Sequence, residues 1–91
     1  MVLIGPRSDR VAPYADRLRC RGLDVEGFTD APAAGCLRSA AWVLFLDWGW
    51  EQRRRSQRAA IVAALVEARG VRILRVCNPA EADRAVERPL P

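Results

Sequence analysis

The sequence contains no histidine and no lysine, and only three of its 91 residues are cysteine. Without histidine, one chain cannot supply a Ser-His or Cys-His catalytic pair, nor a His-based metal site. We therefore expect neither a metal nor another cofactor. All 15 basic residues are arginine. Such a composition is typical of a GC-rich genome, so it reflects codon usage first and function only second.

The cysteines and the lengths of the hydrophobic runs indicate the cellular compartment in which we expect the protein. Cys20, Cys36 and Cys77 are odd in number, far apart and set among apolar residues, which predicts three small buried side chains in a reducing environment. No run approaches the roughly 18 apolar residues of a membrane span. The chain starts directly on a strand-like run instead of a signal peptide. We therefore expect a cytoplasmic protein that does not enter a membrane.

The formal net charge is +4, which suits an anionic ligand or partner. The arginines are spread along the whole chain, so we do not expect nucleic acid as a partner. Hydrophobic residues make up 51%, enough for the core of a single domain over residues 1–91. Because a domain of this size buries only a modest fraction of its surface, we expect a homo-oligomer.

Strand-like and helix-like segments alternate along the chain. The predicted strands are Met1–Ile4, Leu23–Phe28, Ala41–Leu46 and Val71–Val76. The first predicted helix follows a lead-in over Ser8–Ala12, with Pro13 in its first turn and Gly22 as its stop. The others are a short helix over 33–39, a long one from about Trp50 to Arg69, and a weakly anchored one over 80–88. Residues 89–91 are predicted to form a frayed tail. The long helix has a predicted apolar face of Ile61, Val62, Leu65 and Val66.

Strands that alternate with helices imply a parallel sheet with right-handed crossovers. Ala41–Leu46 is apolar throughout, as in a central strand buried on both faces. Leu23–Phe28 alternates apolar and polar residues, as in an edge strand. The sequence thus predicts an α/β fold: a small Rossmann-like, flavodoxin-like three-layer sandwich with a four-stranded parallel sheet in the order 2-1-3-4.

In such a sheet, ligands bind at the carboxyl ends of the strands. The loop after the first strand is Gly5-Pro6-Arg7-Ser8. Gly5 lets the backbone approach a ligand closely, and Arg7 and Ser8 supply donors for phosphate or sugar hydroxyls. Alternatively, Gly5-Pro6 does no more than end the strand.

The loop after the third strand runs from Asp47 through Trp48, Gly49 and Trp50 to Glu51. Asp47 is a candidate to hold sugar hydroxyls, or else to cap the next helix. Either tryptophan can stack on a base, or both cover the edge of the core or an oligomer interface. The two loops are expected to meet and to form a binding site.

Arg53, Arg54 and Arg55 stand at the predicted start of the long helix, with Arg58 one turn later. A helix N-terminus carries partial positive charge, so cations are unfavourable there. A bound anion would relieve this, which makes Arg53 and Arg54 candidate ligand contacts. The alternative is a solvated face of an arginine-rich protein.

These segments together resemble the nucleoside 2-deoxyribosyltransferase-like superfamily, in particular its small, mostly uncharacterised bacterial and phage members. The resemblance begins with Met1–Pro6, Tyr14-Ala15-x-x-Leu18 and Gly22-x-x-Val25. It resumes at Ala41–Leu46, and Gly49-Trp50-Glu51-Gln52 matches a Gly-Trp-Glu-x-Ser turn. It covers roughly residues 1 to 77.

The resemblance implies a Rossmann-like fold and a site for a nucleoside or nucleotide. The family's enzymes cleave N-glycosidic bonds of deoxyribonucleosides through a helix glutamate that forms a covalent sugar intermediate. This chain departs from that pattern. Arg53 and Arg55-Ser56 replace small residues, Ala59 or Ile61 stands near the glutamate position, and Glu67 comes about two turns too late.

Three functions therefore remain open. The first is a degenerate family member, phage-encoded or regulatory, that binds a nucleoside or nucleotide without turning it over. The second is an active N-glycosidase or deoxyribosyltransferase on deoxynucleosides or their monophosphates, with Asp47 and Glu51 as candidate catalytic acids. The third is a protein-interaction module, such as a host-factor inhibitor, that uses the Trp48, Trp50 and arginine surface.

Overall fold

A computed structural model describes residues 1–88, and the predicted tail over 89–91 lies outside the described residues. The strands are β1 (Val2–Ile4), β2 (Glu26–Phe28), β3 (Trp42–Leu46) and β4 (Arg72–Val76). The helices are α1 (Ser8–Cys20), α2 (Ala34–Ser39), α3 (Arg55–Glu67) and α4 (Pro79–Glu87), and a 3-10 turn covers Gln52–Arg54. All strand pairs are parallel, and the sheet order is β2-β1-β3-β4. The predicted α/β fold and strand order are confirmed.

The sheet lies between two helical layers because alternate side chains of its central strands are apolar on both faces. Leu3, Leu44 and Leu46 pack with α1 and α4. Val2, Ile4, Val43 and Phe45 pack on the other face with α2 and α3. These strand residues are all essentially buried, so β1 and β3 hold the fold together and fix the positions of the loops that follow them.

Helix α1 begins earlier than predicted. Arg7 is its N-cap, so Pro13 is the sixth helical residue and does not lie in the first turn. Proline has no N–H to donate to the carbonyl of Asp9 four residues earlier. Pro13 is on the exposed side of the helix, where water can satisfy that carbonyl. Gly22 follows the helix with φ of 85°, which confirms it as the stop.

Helix α3 differs from its prediction at both its start and its apolar face. A 3-10 turn precedes it, so it begins at Arg55. Ile61 and Leu65 are buried, but Val62 and Val66 are 36% and 76% exposed. The predicted four-residue face was wrong for these two valines, because the sheet is too narrow on that side to cover them.

Helix α4 is better anchored than predicted. The Asn78 side chain accepts a hydrogen bond from the Glu81 amide at 2.9 Å, with proline at the first helical turn. This cap satisfies one of the helix's free donors. Ala82, Ala85 and Val86 are buried against the sheet and α1. The prediction of a weakly anchored segment was therefore wrong.

The cysteines also differ from their prediction. Cys20 and Cys77 are exposed and Cys36 is half-buried, and all three are free thiols. Cys20 lies at the end of α1, away from the buried stripe of Val11, Ala15 and Leu18. Apolar neighbours in sequence did not imply burial because helix geometry turns successive residues to different sides. Within residues 1–88, no helix has both the length and the apolar character to cross a membrane.

Candidate functional site

The loops after β1 and β3 meet at the carboxyl edge of the sheet and enclose a cavity of about 270 Å³. It is lined by Pro6, Arg7, Gly49, Glu51, Arg53 and Arg54. The chain leaves β1 toward α1 on one face and leaves β3 toward α3 on the other. The cavity therefore occupies the switch point of the sheet, which is where open α/β folds bind their ligands.

The turn that forms one wall requires glycine. Gly49 has φ of 75°, a backbone conformation that other residues adopt only with strain. A side-chain carbon at this position would lie 3.9 Å from Cγ of Pro6, an ordinary contact distance, so it is the backbone conformation and not a lack of space that favours glycine here. Gly49 shapes the cavity through its backbone.

Arg54 links three loops at this edge. Its guanidinium donates to the carbonyl oxygens of Pro6 and Thr29, the latter at 2.8 Å, and lies 3.5 Å from the Asp30 carboxylate. It also stacks over the Trp50 ring, 5.5 Å from the ring centroid. The side chain is only 20% exposed. Most of its donors are thus used by the protein itself, and its charge faces the cavity.

The remaining charged groups of the cavity are more open to solvent. Arg53 and Glu51 form an ion pair at 2.6 Å, with side chains 81% and 44% exposed. Arg7 pairs with Asp9 at 2.9 Å and is 57% exposed. Because such exposed pairs are weak and screened by water, an incoming anion can replace the carboxylate partners. The lining carries three guanidinium groups and one carboxylate, so the cavity favours anions.

Asp47 faces away from this cavity. Its carboxylate accepts hydrogen bonds from Nε and Nη2 of Arg58 at 2.7 and 2.8 Å and from Nε of Arg75 at 2.6 Å. The side chain is 3% exposed. The hydrogen bonds from Arg58 outweigh burial and, with those from Arg75, lower the pKa of Asp47 below its usual value. Asp47 therefore holds α3 against β4 as a buried carboxylate.

The capping alternative for Asp47 is wrong. Arg54 occupies the N-cap position of α3, and no side chain caps that helix end. A four-residue loop and then the 3-10 turn Gln52–Arg54 separate Asp47 from the start of α3. Asp47 therefore pairs with Arg58, within the helix, and does not cap its start.

The two tryptophans lie on opposite faces of the sheet. Trp48 packs with the α1 and α4 cluster and meets Tyr14 edge to face, with ring centroids 6.1 Å apart. Trp50 packs with the α2 and α3 cluster against Phe45 and donates from Nε1 to the Leu46 carbonyl at 3.1 Å. Both cover the edge of the core, and neither lines the cavity.

Gly5 and Ser8 also lie outside the cavity. A side-chain carbon on Gly5 would stand 2.7 Å from Cγ2 of Val11 and 3.2 Å from Cδ1 of Leu46. Its small size thus serves the packing of α1 on the sheet. Ser8 lines a separate groove between α1 and β2, together with Gly27 and Thr29 among others.

Sequence reasoning missed Arg75 as the second partner of Asp47 and Thr29 as an acceptor for Arg54. Register supplies the signal for Arg75: it pairs with Phe45, two residues before Asp47, so the same face of neighbouring strands carries both charges. Thr29 accepts through its main-chain carbonyl oxygen. Because every residue type has this oxygen, the sequence gives no signal for the contact.

Within residues 1–88, no group of three or more acidic, cysteine or histidine side chains is arranged to hold a metal ion. No family model matches this chain, and no curated protein or solved structure matches it either.

Proposed function

We propose that the chain binds a nucleotide-like small molecule by its phosphate at the cavity after β1 and β3, and that it does not turn this ligand over. On this proposal it is a degenerate member of the nucleoside 2-deoxyribosyltransferase-like superfamily. The observation that carries the proposal is the set of three arginines, Arg7, Arg53 and Arg54, around one cavity at the switch point of the sheet.

Arg7 supports a phosphate at this position. It is the residue before α1, and its side chain lines the cavity. Its guanidinium is 57% exposed and is paired only with the exposed carboxylate of Asp9. An incoming phosphate therefore meets a charge-assisted donor.

The placement of the acids supports binding without turnover. Asp47 is buried and held by two arginines, so its oxygens do not reach a ligand in the cavity. Glu67, the one acid within α3, is its last residue. A nucleophilic carboxylate must reach the anomeric carbon directly, and neither residue is placed to do so.

Glu51 favours a second candidate function. It is the one carboxylate that lines the cavity, it pairs with Arg53 at 2.6 Å, and its side chain is 44% exposed. An N-glycosidase or deoxyribosyltransferase that uses this chain would therefore depend on Glu51. The third alternative, an interaction module built on the tryptophans, gains no support because Trp48 and Trp50 are packed against the core.

The test is calorimetric titration with inorganic phosphate, deoxynucleosides and their 5′-monophosphates. We expect monophosphates to bind more tightly than the matching nucleosides. Arg7→Gln and Arg53→Gln should each weaken the monophosphates several-fold, since charge-assisted contacts to phosphate are lost. Arg10→Gln, an exposed change on α1 outside the cavity, is the matched control. Equal binding of nucleosides and monophosphates, or equal loss in the control, would contradict the proposal.

A further inference from the structure

Three large hydrophobic side chains are exposed among residues 1–88, and all three line one groove. They are Val62, Val66 and Ile73, which are 36%, 76% and 38% exposed. The groove has a volume of about 410 Å³ and lies between α3 and β4. Exposed apolar side chains scattered singly are ordinary, but their concentration in one place marks an interaction surface.

The groove exists because one face of the edge strand β4 lacks a helix. On the other face, Val76 and Leu74 pack against the cluster that contains α1 and α4. Helix α3 instead packs on the central strands through Ile61 and Leu65. Ile73 points to the uncovered side, and the buried residues Phe45 and Leu65 form the floor of the groove.

The rim of the groove is cationic. Arg58 and Arg75 line it with side chains 39% and 58% exposed. Arg55 is exposed and, at helical spacing, lies on the same side of α3 as Arg58 and Val62. The nearby carboxylate of Asp47 is 3% exposed and already shared between two guanidinium groups. One buried negative charge therefore offsets only part of this positive rim.

We infer that this groove binds an amphipathic helix of a partner protein that carries acidic residues beside its apolar stripe. Such a helix would lie next to α3 as a further member of the layer formed by α2 and α3. Its apolar side chains at i, i+3 or i+4, and i+7 would cover Val62, Val66 and Ile73. Its carboxylates would meet Arg55, Arg58 and Arg75, whose positive potential steers an acidic partner and rejects a basic one.

A second copy of this chain suits the groove less well. In a symmetric dimer the same patch faces itself, so the cationic rims of the two copies would approach each other. The whole chain carries a net charge of +4, which adds to this repulsion. An acidic helix, in contrast, satisfies the apolar floor and the charged rim together.

The probe is a labelled synthetic helix of about four turns with leucines at heptad spacing and glutamates on both flanks of the stripe. Two peptides serve as comparison: one with lysine in place of glutamate, and one with the acidic composition in shuffled order. We expect the acidic amphipathic peptide to bind in fluorescence anisotropy and the others to bind much more weakly. The binding should weaken as salt is raised.

Variants of the full chain locate the contact. Val66→Thr keeps the branched shape at an exposed position, so the fold is retained, and it should weaken the peptide about fivefold through lost apolar burial. Arg55→Glu should weaken it further. Ala60→Thr, on the far side of α3 from Val62 and Val66, and Arg10→Glu, with the same charge change on α1, are the matched controls and should leave the affinity unchanged.

Two results would overturn the inference. The first is equal binding of the acidic, lysine and shuffled peptides, or equal loss in the variants and their controls. The second is a wild-type dimer in sedimentation that Val66→Thr dissociates and that the acidic peptide does not disrupt, since a second copy would then occupy the groove. A monomer that binds the acidic peptide through Val66 and Arg55 supports it. These outcomes are independent of nucleotide binding at the cavity.

Discussion

The guanidinium of Arg54, in the turn after β3, donates a hydrogen bond to the carbonyl oxygen of Pro6, in the loop after β1. The two residues are 48 positions apart in the chain. Their contact joins the two walls of the candidate site, and a second donor of the same side chain reaches Thr29 after β2. The carboxyl ends of three strands are therefore held by one side chain.

Arg54→Lys should destabilise the protein, because a single ammonium group cannot reproduce donors that point to two carbonyls at once. We expect a loss of about 1–3 kcal/mol, the cost of unsatisfied, partly buried carbonyls. Urea unfolding at neutral pH measures it. Arg53→Lys, at an exposed neighbouring position, is the control and should stay within about 0.5 kcal/mol of the wild type. Equal effects at the two positions would refute the bridging role of Arg54.

Asp47→Asn should also lower stability, because it leaves a buried amide where two arginines bind a carboxylate. Both arginines are substantially exposed and regain water, so we expect about 1–3 kcal/mol, below the full cost of breaking a buried pair. The control is Asp16→Asn, whose carboxylate is 72% exposed. A loss no greater than in the control would show that the Asp47 contacts do not stabilise the fold.

The same residue gives the protein a pH-dependent stability. The pKa of Asp47 is lower in the folded state than its usual value of about 3.9. Its contribution is therefore fully present above that value and disappears as the pH falls through the folded-state pKa. Wild type and Asp47→Asn should differ in urea midpoint at pH 7 and converge under strong acid. A constant difference down to the lowest pH at which both fold would contradict this assignment.

Gly5→Ala should destabilise by about 1–3 kcal/mol, the cost of overpacking a tight interior. The added carbon would stand 2.7 Å from Val11 on α1 and 3.2 Å from Leu46 on β3, so a helix must shift on the sheet. Gly35→Ala is the matched control: it has open space around it and lies within α2, where alanine is the better helix former. Thermal unfolding distinguishes the two, and similar shifts would argue against the close approach at Gly5.

Glu51→Gln separates the two candidate functions of the cavity. Removing the one carboxylate from the lining raises its positive charge, so a phosphate-bearing ligand should bind as tightly as before or more tightly. Calorimetry with deoxynucleoside monophosphates checks this. Base release that is present in the wild type and absent from this variant would instead establish Glu51 as catalytic.

Much of the fold was predictable because its signals are local. Apolar runs ended by glycine or proline locate the strands, and their alternation with helices requires parallel pairing. Gly22 and Gly70 both have positive φ after a helix, and both follow the predicted helix ends. The prediction for Pro13 failed because α1 begins at Ser8. The predictions for α4 and the cysteines failed where burial depends on which side of a helix meets the sheet.

The position of the candidate site in the fold was predictable from the sequence. Which side chains line it was only partly predictable. The sheet order brings Pro6, Arg7 and Gly49 together with Glu51, Arg53 and Arg54, as the two loops predicted. It directs Gly5 into packing, Ser8 into a neighbouring groove and the tryptophans to opposite faces. The spacing of residues along the sequence locates the two loops. The direction in which each side chain points depends instead on the backbone conformation of the turn.

The sequence by itself determined the α/β class, the parallel sheet with a central strand predicted over Ala41–Leu46 and found over Trp42–Leu46, and the edge at which two arginine-bearing loops meet. Tertiary structure alone decided that Asp47 pairs with Arg75 from β4 and that Val62 and Val66 remain uncovered. The reason is physical. Periodicity fixes which residues share a face of an element, whereas contacts between distant elements depend on how far each helix extends across the sheet.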